Sequence, residues 1–270
     1  MDLGKMEPLV IAPDVIPLGY AEHAPPDDLV PYVACFWTGR STTPPDPRRD
    51  RVLPDGCVDV IFAFDDAQGT RLAEAMAVGP MTKPIIPERE SRLYIGARFK
   101  PGRAFIAFGI PATELLDERV AYDAVTLDAL PDIDAIAAAP TDMERLRRVV
   151  DAVRRRLARA GAVPTSVRVA VRRIISMSGN LRVALLATEI GITRQQLARQ
   201  FAMHVGVSPK MLARVVRTQA ALARADAARA AYPRALDWSA IAYDLGYYDQ
   251  PHFIDDFKSI TGVTPGDWVK

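Results

Sequence analysis

The chain has 270 residues, of which 49% are hydrophobic and 25% are charged, and its formal net charge is +1. This length allows two domains of ordinary size, and the apolar content excludes a largely disordered chain. No apolar run approaches the roughly 18 residues of a membrane span, and the first residues lack the layout of a signal peptide. We therefore expect a cytoplasmic protein, with its two cysteines, Cys35 and Cys57, as free thiols.

The first half of the chain is expected to consist mainly of β-strands, over residues 29–110. Apolar and polar residues alternate along 58–64 and 93–99, which is the period of a half-buried strand. Pro54-Asp55-Gly56 is most simply a turn between strands. The period changes after Pro101-Gly102, and a short helix is expected over 103–108. These features predict a β-rich, barrel-like N-terminal domain.

A long amphipathic helix follows this domain. Thr141 and Glu144 form a capping pattern at its start, and the helix is expected to end near Gly161. Its apolar stripe contains Leu146, Val149, Val150, Val153 and Leu157. We place the β-rich domain at 1–140, a linker helix region at 141–164 and an all-helical domain at 165–270.

The helical domain contains one signature twice, about 55 residues apart. The first copy consists of Leu186-Ala187, Ile190-Gly191, Leu197, Phe201, Gly206 and Ser208-Pro209. The second copy consists of Ile241-Ala242, Leu245-Gly246, Phe253, Phe257, Gly262 and Thr264-Pro265. A helix ended by glycine, a tight turn and a helix with two apolar residues four apart are typical of a helix-turn-helix. Two such units can reach successive major grooves, so the pattern predicts a DNA-binding protein.

Capping residues stand where this pattern starts its helices. Thr193 and Gln196 form a capping box, and Ser208 and Thr264 each precede a proline that suits the first helical position. Asp237 and Asp249 are the N-caps expected for the second unit. The expected helices are 165–177, 181–190, 193–204, 208–230, 238–245, 249–259 and 265–269.

Charge is distributed unevenly along the chain. Residues 1–144 carry a net charge of −11, and residues 235–270 carry −4. Residues 145–234 hold 19 Lys and Arg against 3 Asp and Glu, a net charge of +16. A solvated arginine-rich helix is the simpler interpretation of such a stretch, but beside two helix-turn-helix units it indicates a phosphate-binding surface.

Two ordered stretches carry a family resemblance: His204 to Arg217 and Ile241 to Phe253. Residues 181–268 resemble the DNA-binding domain of the AraC/XylS family of bacterial transcription regulators. The N-terminal part is similar to a domain without assigned function found ahead of such regulators, through 51–59, 78–80 and 96–102. The resemblance implies an α+β protein: a β-rich sensor or dimerisation domain, then an all-α domain with two helix-turn-helix units. It also implies a sequence-specific regulator, either an activator or a repressor, that is controlled through its N-terminal domain.

In that family the exposed residues of the third helix enter the first major groove. Gln196 is expected to cap, and the role of Gln200 stays open. Arg can read guanine and Gln can read adenine, although contact with phosphates alone is the competing interpretation. The expected base contacts are Arg194, Gln195 and Arg199, and the expected backbone contacts are Ser208 and Lys210.

The second unit departs from the family pattern. Family members commonly carry Arg where this chain has Asp255, which is followed by Asp256, and a carboxylate facing the groove is repelled by phosphate. Gln250 and His252 are the expected base readers, and Lys258 is the expected backbone contact. We therefore expect the first unit to dominate affinity.

An effector site in the N-terminal domain is predicted from Trp37, Arg51, Asp55 and Arg98. A small molecule or an anionic nucleotide is the expected effector, because Arg48, Arg49 and Arg51 follow a proline-rich loop. Solvated arginines and a simple turn are the competing interpretations. RNA polymerase and a second copy of the chain are further expected partners.

Catalysis and cofactors find little support in the residue patterns. The three histidines, His23, His204 and His252, stand in no metal-ligand spacing, and no nucleophile or phosphate-loop motif occurs. One alternative is an enzyme fused to a DNA-binding module, which would need an activated cysteine or a metal cluster. Another is a protein-interaction adaptor whose acidic N-terminal domain masks the basic stretch. We expect no cofactor, no metal and no enzymatic activity.

Overall fold

The structure is a computed structural model that describes residues 19–40, 51–65, 71–86, 93–122, 133–231 and 236–268. Its N-terminal part contains one antiparallel sheet in the strand order β1-β2-β5-β3-β4-β6. The strands are β1 (Ala21–His23), β2 (Val33–Arg40), β3 (Val58–Phe64), β4 (Leu72–Val78), β5 (Leu93–Phe99) and β6 (Arg119–Ala121). The strands predicted at 58–64 and 93–99 are confirmed.

The two faces of the sheet differ in chemistry because alternate residues point to opposite sides. Phe36, Phe62 and Phe99 on one face lie in the buried core, whereas Asp59 and Arg98 share the other face. Among the described strands, β1 pairs only with β2 and β6 only with β4. The described sheet is therefore open at both edges, and the β-rich N-terminal domain predicted from the sequence is confirmed.

Short helices and one long helix complete the N-terminal part. They are α1 (Ala104–Phe108), the 3-10 helix η1 (Ala112–Leu115), α2 (Ile133–Ala137) and α3 (Asp142–Ala158). The predicted cap of α3 is confirmed, since Thr141 Oγ1 accepts a hydrogen bond from the Glu144 backbone N–H at 3.2 Å. Leu146, Val149 and Val153 on α3 are buried in the core of the sheet. The helix predicted as a linker thus packs with the N-terminal domain.

Seven helices follow in the described part beyond residue 164. They are α4 (Thr165–Ser176), α5 (Val183–Glu189), α6 (Arg194–His204), α7 (Pro209–Ala231), α8 (Trp238–Asp244), α9 (Gln250–Thr261) and α10 (Pro265–Trp268). The first helix-turn-helix unit is α5 with α6, and the second is α8 with α9. Gly191 and Gly246 turn the chain between the helices, both at φ +74°, a left-handed conformation that favours glycine.

The N-terminal domain packs against the first unit and against α7, the connecting helix. Ile106 is buried in the same cluster as residues of α4 and α6. A Cβ on Gly206 would lie 2.5 Å from Pro80 Cγ and 2.7 Å from the Ala112 carbonyl oxygen, so the two domains meet closely there. None of the described helices has the length and apolar character to span a bilayer.

Candidate nucleic-acid interface

Helix α6 turns one side to the core and a polar side to solvent. Leu197 and Phe201 are fully buried. Arg194, Gln195 and Arg199 are exposed, and within the described residues none of these three side chains makes a hydrogen bond or an ion pair. Their donors and acceptors are therefore free to meet base edges or phosphates.

The two remaining glutamines of α6 are used inside the protein. Thr193 accepts from the Gln196 backbone at 3.1 Å while the Gln196 side chain accepts from the Thr193 backbone at 2.9 Å, which confirms the predicted capping box. Gln200, whose role the sequence left open, accepts a hydrogen bond from Ser166 Oγ at 2.5 Å. This bond ties the inner edge of α6 to α4 and so helps to set which residues face outwards.

The start of α7 carries the two predicted backbone contacts of the first unit. Ser208 is the N-cap, because its Oγ accepts from the Met211 backbone N–H at 3.1 Å. Lys210 is exposed and forms no hydrogen bond or ion pair with the rest of the described chain. A phosphate at this helix start would meet an ammonium group and the positive end of the helix dipole.

The second unit is built around aromatic rings. Trp238 and Phe257 pack edge to face with their ring centroids 5.1 Å apart, and Phe257 meets Trp268 in the same way at 6.0 Å. Phe253 and Tyr247 lie 5.2 Å apart in the same cluster. The stripe predicted at Phe253 and Phe257 is thus the anchor that holds α9 in place.

The outer face of α9 differs from that of α6 because both residues predicted to contact bases already have a partner within the protein. Gln250 Nε2 donates to Ser239 Oγ at 2.5 Å, and His252 Nε2 lies 3.6 Å from Asp256 Oδ2. Asp255 and Lys258 are exposed and have no partner among the described residues. All four sequence-predicted positions lie on the exposed side of α9, but only Asp255 and Lys258 are free.

A buried ion pair behind this face was missed by the sequence analysis. Asp256 is 5% exposed, and its Oδ1 accepts from Arg214 Nε of α7 at 2.6 Å. Arg214 Nη2 also donates to Ser259 Oγ at 2.7 Å. The sequence pattern does indicate that Asp256 is buried. Position 256 lies three residues after Phe253 and next to Phe257, on the buried stripe of the helix.

Helix α7 holds both units at once. Arg217 donates from Nη2 to the Gly179 carbonyl oxygen at 2.7 Å, and its guanidinium lies 4.9 Å from the centre of the Tyr247 ring. The first contact is to the loop after α4 and the second is to the core of the second unit. Together with Arg214, this residue fixes the second unit on the connecting helix.

Three of the four predicted effector residues meet on the polar face of the sheet. Trp37 Nε1 donates to Asp59 Oδ1 at 2.8 Å, and Arg98 Nε lies 3.3 Å from both oxygens of Asp59. Arg98 Nε is also 3.7 Å from Asp55 Oδ2. We call Trp37, Asp55, Asp59 and Arg98 the sheet cluster. Among the described residues, Arg51 forms no hydrogen bond or ion pair with this cluster. Arg48 and Arg49 lie outside the described residues.

The chemistry of the sheet cluster favours hydrogen-bond donors over anions. Burial raises the pKa of the Asp59 carboxyl, and the Arg98 guanidinium opposes this rise. Two carboxylates face one guanidinium, so a ligand with an N–H or O–H group suits the cluster better than a nucleotide phosphate. In the described part of the chain, no group of three His, Cys, Asp or Glu residues is arranged to hold a metal ion.

The two cysteines lie beside this cluster and are both free and buried. Burial raises the pKa of the Cys35 thiol to about 12 and raises that of Cys57 as well. Both thiols therefore stay protonated at neutral pH, whereas a nucleophilic cysteine needs its thiolate form. The activated cysteine required by the enzyme alternative is not found at these two positions.

The loop of residues 53–57 connects the sheet cluster to the helical domain. Asp55 belongs to the cluster, while the neighbouring Pro54 carbonyl accepts from Gln219 Nε2 of α7 at 2.8 Å. A Cβ on Gly56 would lie 2.6 Å from Leu212 Cδ1, also on α7. Leu53 packs against the core of the second unit. A five-residue loop thus contacts the cluster, the connecting helix and the second unit.

Two parts of the chain match known family models. Residues 186–270 match the family model of a helix-turn-helix domain, and residues 21–121 match that of a domain of unknown function, DUF6597. No curated protein matches the chain.

Crystal structures of ToxT from Vibrio cholerae are similar in fold over 87% of this chain. One matches with 10% identity and a TM-score of 0.42 over 96% of its own length. Another, of ToxT bound to an unsaturated fatty acid, matches with 11% identity and a TM-score of 0.38 over 93% of its length.

Proposed function

We propose that this chain, a DNA-binding transcription regulator with an AraC-type helix-turn-helix domain, reads its promoter mainly through the first unit. The observation that carries the proposal is the outer face of α6. Arg194, Gln195 and Arg199 are exposed and form no hydrogen bond or ion pair with the described residues, while the opposite side of the same helix is fully buried. The second unit then adds weaker contacts through Lys258. Gln250 or His252 contacts DNA only if its side chain leaves its partner inside the protein.

Control is proposed to act through the N-terminal domain. A ligand at the sheet cluster would compete for Asp55 or Arg98, and the 53–57 loop would pass the resulting shift to α7. Because α7 holds both units, a small displacement of this helix changes the spacing of the two recognition helices. The sheet cluster, without Arg51, is therefore the effector site that we propose for this domain.

The remaining partners follow from the proposed target. Because the proposed target is promoter DNA, we propose that the protein acts in the cytoplasm. We propose no catalytic role for it. RNA polymerase contact, transcriptional activation and homodimer formation stay predictions, to be checked by transcription in vitro and by sedimentation of the purified chain. The domain boundaries at 140 and 164 stay predictions too.

The test compares two double variants of the full chain on a binding site selected from randomised DNA. We expect Arg194→Ala with Arg199→Ala to lose at least about tenfold in affinity, since each lost base contact costs about 1–3 kcal/mol. Gln250→Ala with His252→Ala is expected to lose less. Thermal unfolding of both variants serves as the folding control. Equal losses, or a larger loss from the second pair, would contradict the leading role of the first unit.

A further inference from the structure

The turns of the two helix-turn-helix units have the same backbone hydrogen bonds at their start. In the first turn Gly191 and Ile192 donate their N–H groups to carbonyl oxygens of α5, three and five residues back, at 3.0 and 3.1 Å. In the second turn Gly246 and Tyr247 donate to carbonyl oxygens of α8 at the same two separations, at 2.9 and 3.1 Å. Ile192 and Tyr247 are therefore equivalent positions in the two units.

The second turn then contains one residue more than the first, and this residue is Tyr248. Thr193, the N-cap of α6, directly follows Ile192. Asp249, the N-cap of α9, is separated from Tyr247 by Tyr248. Ile192 and Tyr247 both pack in the core of their own unit. Tyr248 thus has no counterpart in the first unit and is an insertion immediately before the second recognition helix.

The inserted tyrosine projects into solvent. Tyr248 is 97% exposed, the highest value of any large hydrophobic residue in the described part of the chain. Its hydroxyl forms no hydrogen bond with the described residues. The side chain therefore adds nothing to the described core, and both its ring and its hydroxyl are available to a partner outside the chain.

The residues on either side hold Tyr248 in a fixed place. The Arg217 guanidinium lies 4.9 Å from the ring centre of Tyr247. A Cβ on Gly246 would lie 2.3 Å from Asn180 Nδ2, so the amide of Asn180 packs directly on the turn. The residue after Tyr248 caps α9, its carboxylate accepting a backbone N–H of that helix at 2.8 Å. Little backbone freedom is left to lose when the tyrosine meets a partner.

The insertion lies at the end of α9 that a helix-turn-helix presents to DNA. Such a recognition helix enters the major groove with its N-terminal residues towards the bases, and hydroxyl side chains are common donors to the phosphates beside the groove. Asp244, Asp249 and Asp255, which stand nearby in the sequence, are all exposed carboxylates and can only repel a phosphate. The Tyr248 hydroxyl is an uncharged donor among them.

We propose that Tyr248 is a DNA-backbone contact of the second unit, in which the phenol hydroxyl donates a hydrogen bond to one phosphate at the rim of the major groove. The contact rests on the proposed function, since it requires that α9 faces DNA. Because the hydroxyl is uncharged, the contact adds affinity without releasing a counterion, and because its acceptor is a phosphate, it adds no base preference.

Removal of the hydroxyl tests the contact in the full chain. On the DNA site selected for this protein, we expect Tyr248→Phe to lose about two- to tenfold in affinity, the net effect of one neutral hydrogen bond. The slope of log affinity against log salt and the preferred sequence should stay unchanged. Tyr243→Phe alters a second tyrosine of this unit, which is 80% exposed on α8, and should bind like the unaltered protein. Thermal unfolding is the folding control. Unchanged affinity of Tyr248→Phe, or equal losses in both variants, would overturn the proposal.

Methylphosphonate substitution, one phosphate at a time along the same site, identifies the acceptor. We expect one position where the substitution weakens the unaltered protein and Tyr243→Phe more than it weakens Tyr248→Phe, because that variant has already lost the hydrogen bond. The difference should equal the loss caused by Tyr248→Phe on unmodified DNA. Parallel losses at every phosphate would overturn the phosphate assignment, even if Tyr248→Phe binds less tightly.

Lys258→Ala separates this proposal from the proposed function. If this variant reduces the salt slope while no phosphate is coupled to Tyr248, only the tyrosine contact is overturned. If neither residue has an effect, the contacts proposed for the second unit fail together with it. If the double variant Arg194→Ala with Arg199→Ala loses no affinity, the leading role of the first unit is contradicted, and a phosphate coupled to Tyr248 still stands.

Discussion

The two helix-turn-helix units share a backbone design and differ in what they leave free. Each turn contains a glycine at φ +74°, and each second helix begins with a side-chain cap and buries two apolar residues four apart. On α6 the outward residues Arg194, Gln195 and Arg199 have no partner in the part of the chain that the structure describes, whereas on α9 Gln250 and His252 are engaged and Asp255 is negative. Similar scaffolds can thus bind DNA with different strength, because recognition resides in the outer face.

The supports of the two units differ as well. The first unit shares its buried core with the N-terminal domain through Ile106 and the close contact at Gly206. The second has its own aromatic core and is tied to α7 by Arg214 and Arg217. A signal from the N-terminal domain therefore reaches the first unit directly and the second unit mainly through α7.

Salt should reveal the largest effect. If the basic stretch of residues 145–234 supplies six or more phosphate contacts, affinity falls by about 10³ or more between about 50 and 200 mM salt. Lys210→Ala in the first unit should reduce the slope of log affinity against log salt by about one, and Lys258→Ala in the second should reduce it less. A flat titration of the full chain would contradict the phosphate-contact interpretation.

Removing the ion pair between Arg214 and Asp256 should destabilise the attachment of the second unit to α7 without a direct effect on the core of the first unit. Arg214→Ala leaves the Asp256 carboxylate buried without its partner, a change that typically costs about 3–5 kcal/mol. We expect a large fall in the free energy of unfolding by urea, together with weaker DNA binding. Arg224→Ala, an exposed arginine of the same helix, is the matched control. Equal stability of the two variants would show that the pair does not hold the second unit.

Arg199→Ala should weaken specific binding by about 1–3 kcal/mol and relax base preference at one position. The residue is exposed two positions after the buried Leu197. Lys210→Ala, as a backbone contact, is expected to weaken binding without changing the preferred sequence. A selection from randomised sites compares the two, and an unchanged preference in the arginine variant would remove Arg199 from the base readers.

Asp255→Arg should tighten DNA binding, by about 1–3 kcal/mol where the guanidinium gains a phosphate or guanine contact. An alternative is that Asp255 pairs with an arginine of the connecting helix or of the N-terminal domain. Arg214 of the connecting helix pairs with Asp256 instead, and Asp255 has no partner among the described residues. Asp244→Arg, exposed on α8, is the charge-matched control. Weaker binding by a variant with a normal melting temperature would show that α9 does not face DNA as placed here.

The smallest expected effect is a pH dependence of the free energy of unfolding that arises in the first unit alone. Burial, followed by Arg103, lowers the pKa of His204 below its ordinary 6.5. As the pH falls, the imidazole is therefore protonated in the unfolded chain before it is protonated in the folded one. The free energy of unfolding is highest above about pH 6.5 and decreases as the pH falls through the pKa of the folded state. His204→Phe should remove this dependence from urea unfolding curves, whereas His252→Asn should keep it. The same dependence in both variants would assign it to other groups.

Local patterns in the sequence determined the helices, their caps and the outward face of the first recognition helix. The capping box at Thr193 and Gln196 and the buried pair Leu197 and Phe201 depend on residues within a few positions of one another. Helical periodicity then decides where Arg194 and Arg199 point. The same reasoning identified both glycine turns, because a left-handed residue between two apolar stripes is specified by the adjacent chain.

Only the tertiary structure decided which distant residues meet. Asp256 and its partner Arg214 are 42 positions apart, and a carboxylate in the sequence does not indicate whether it faces DNA or a guanidinium. The gathering of Trp37 and Arg98 around Asp59 depends on strand order, and the ring contact of Phe105 with His204 depends on how two domains pack. Periodicity places a side chain on a face of its own element, and packing between elements then determines its partner.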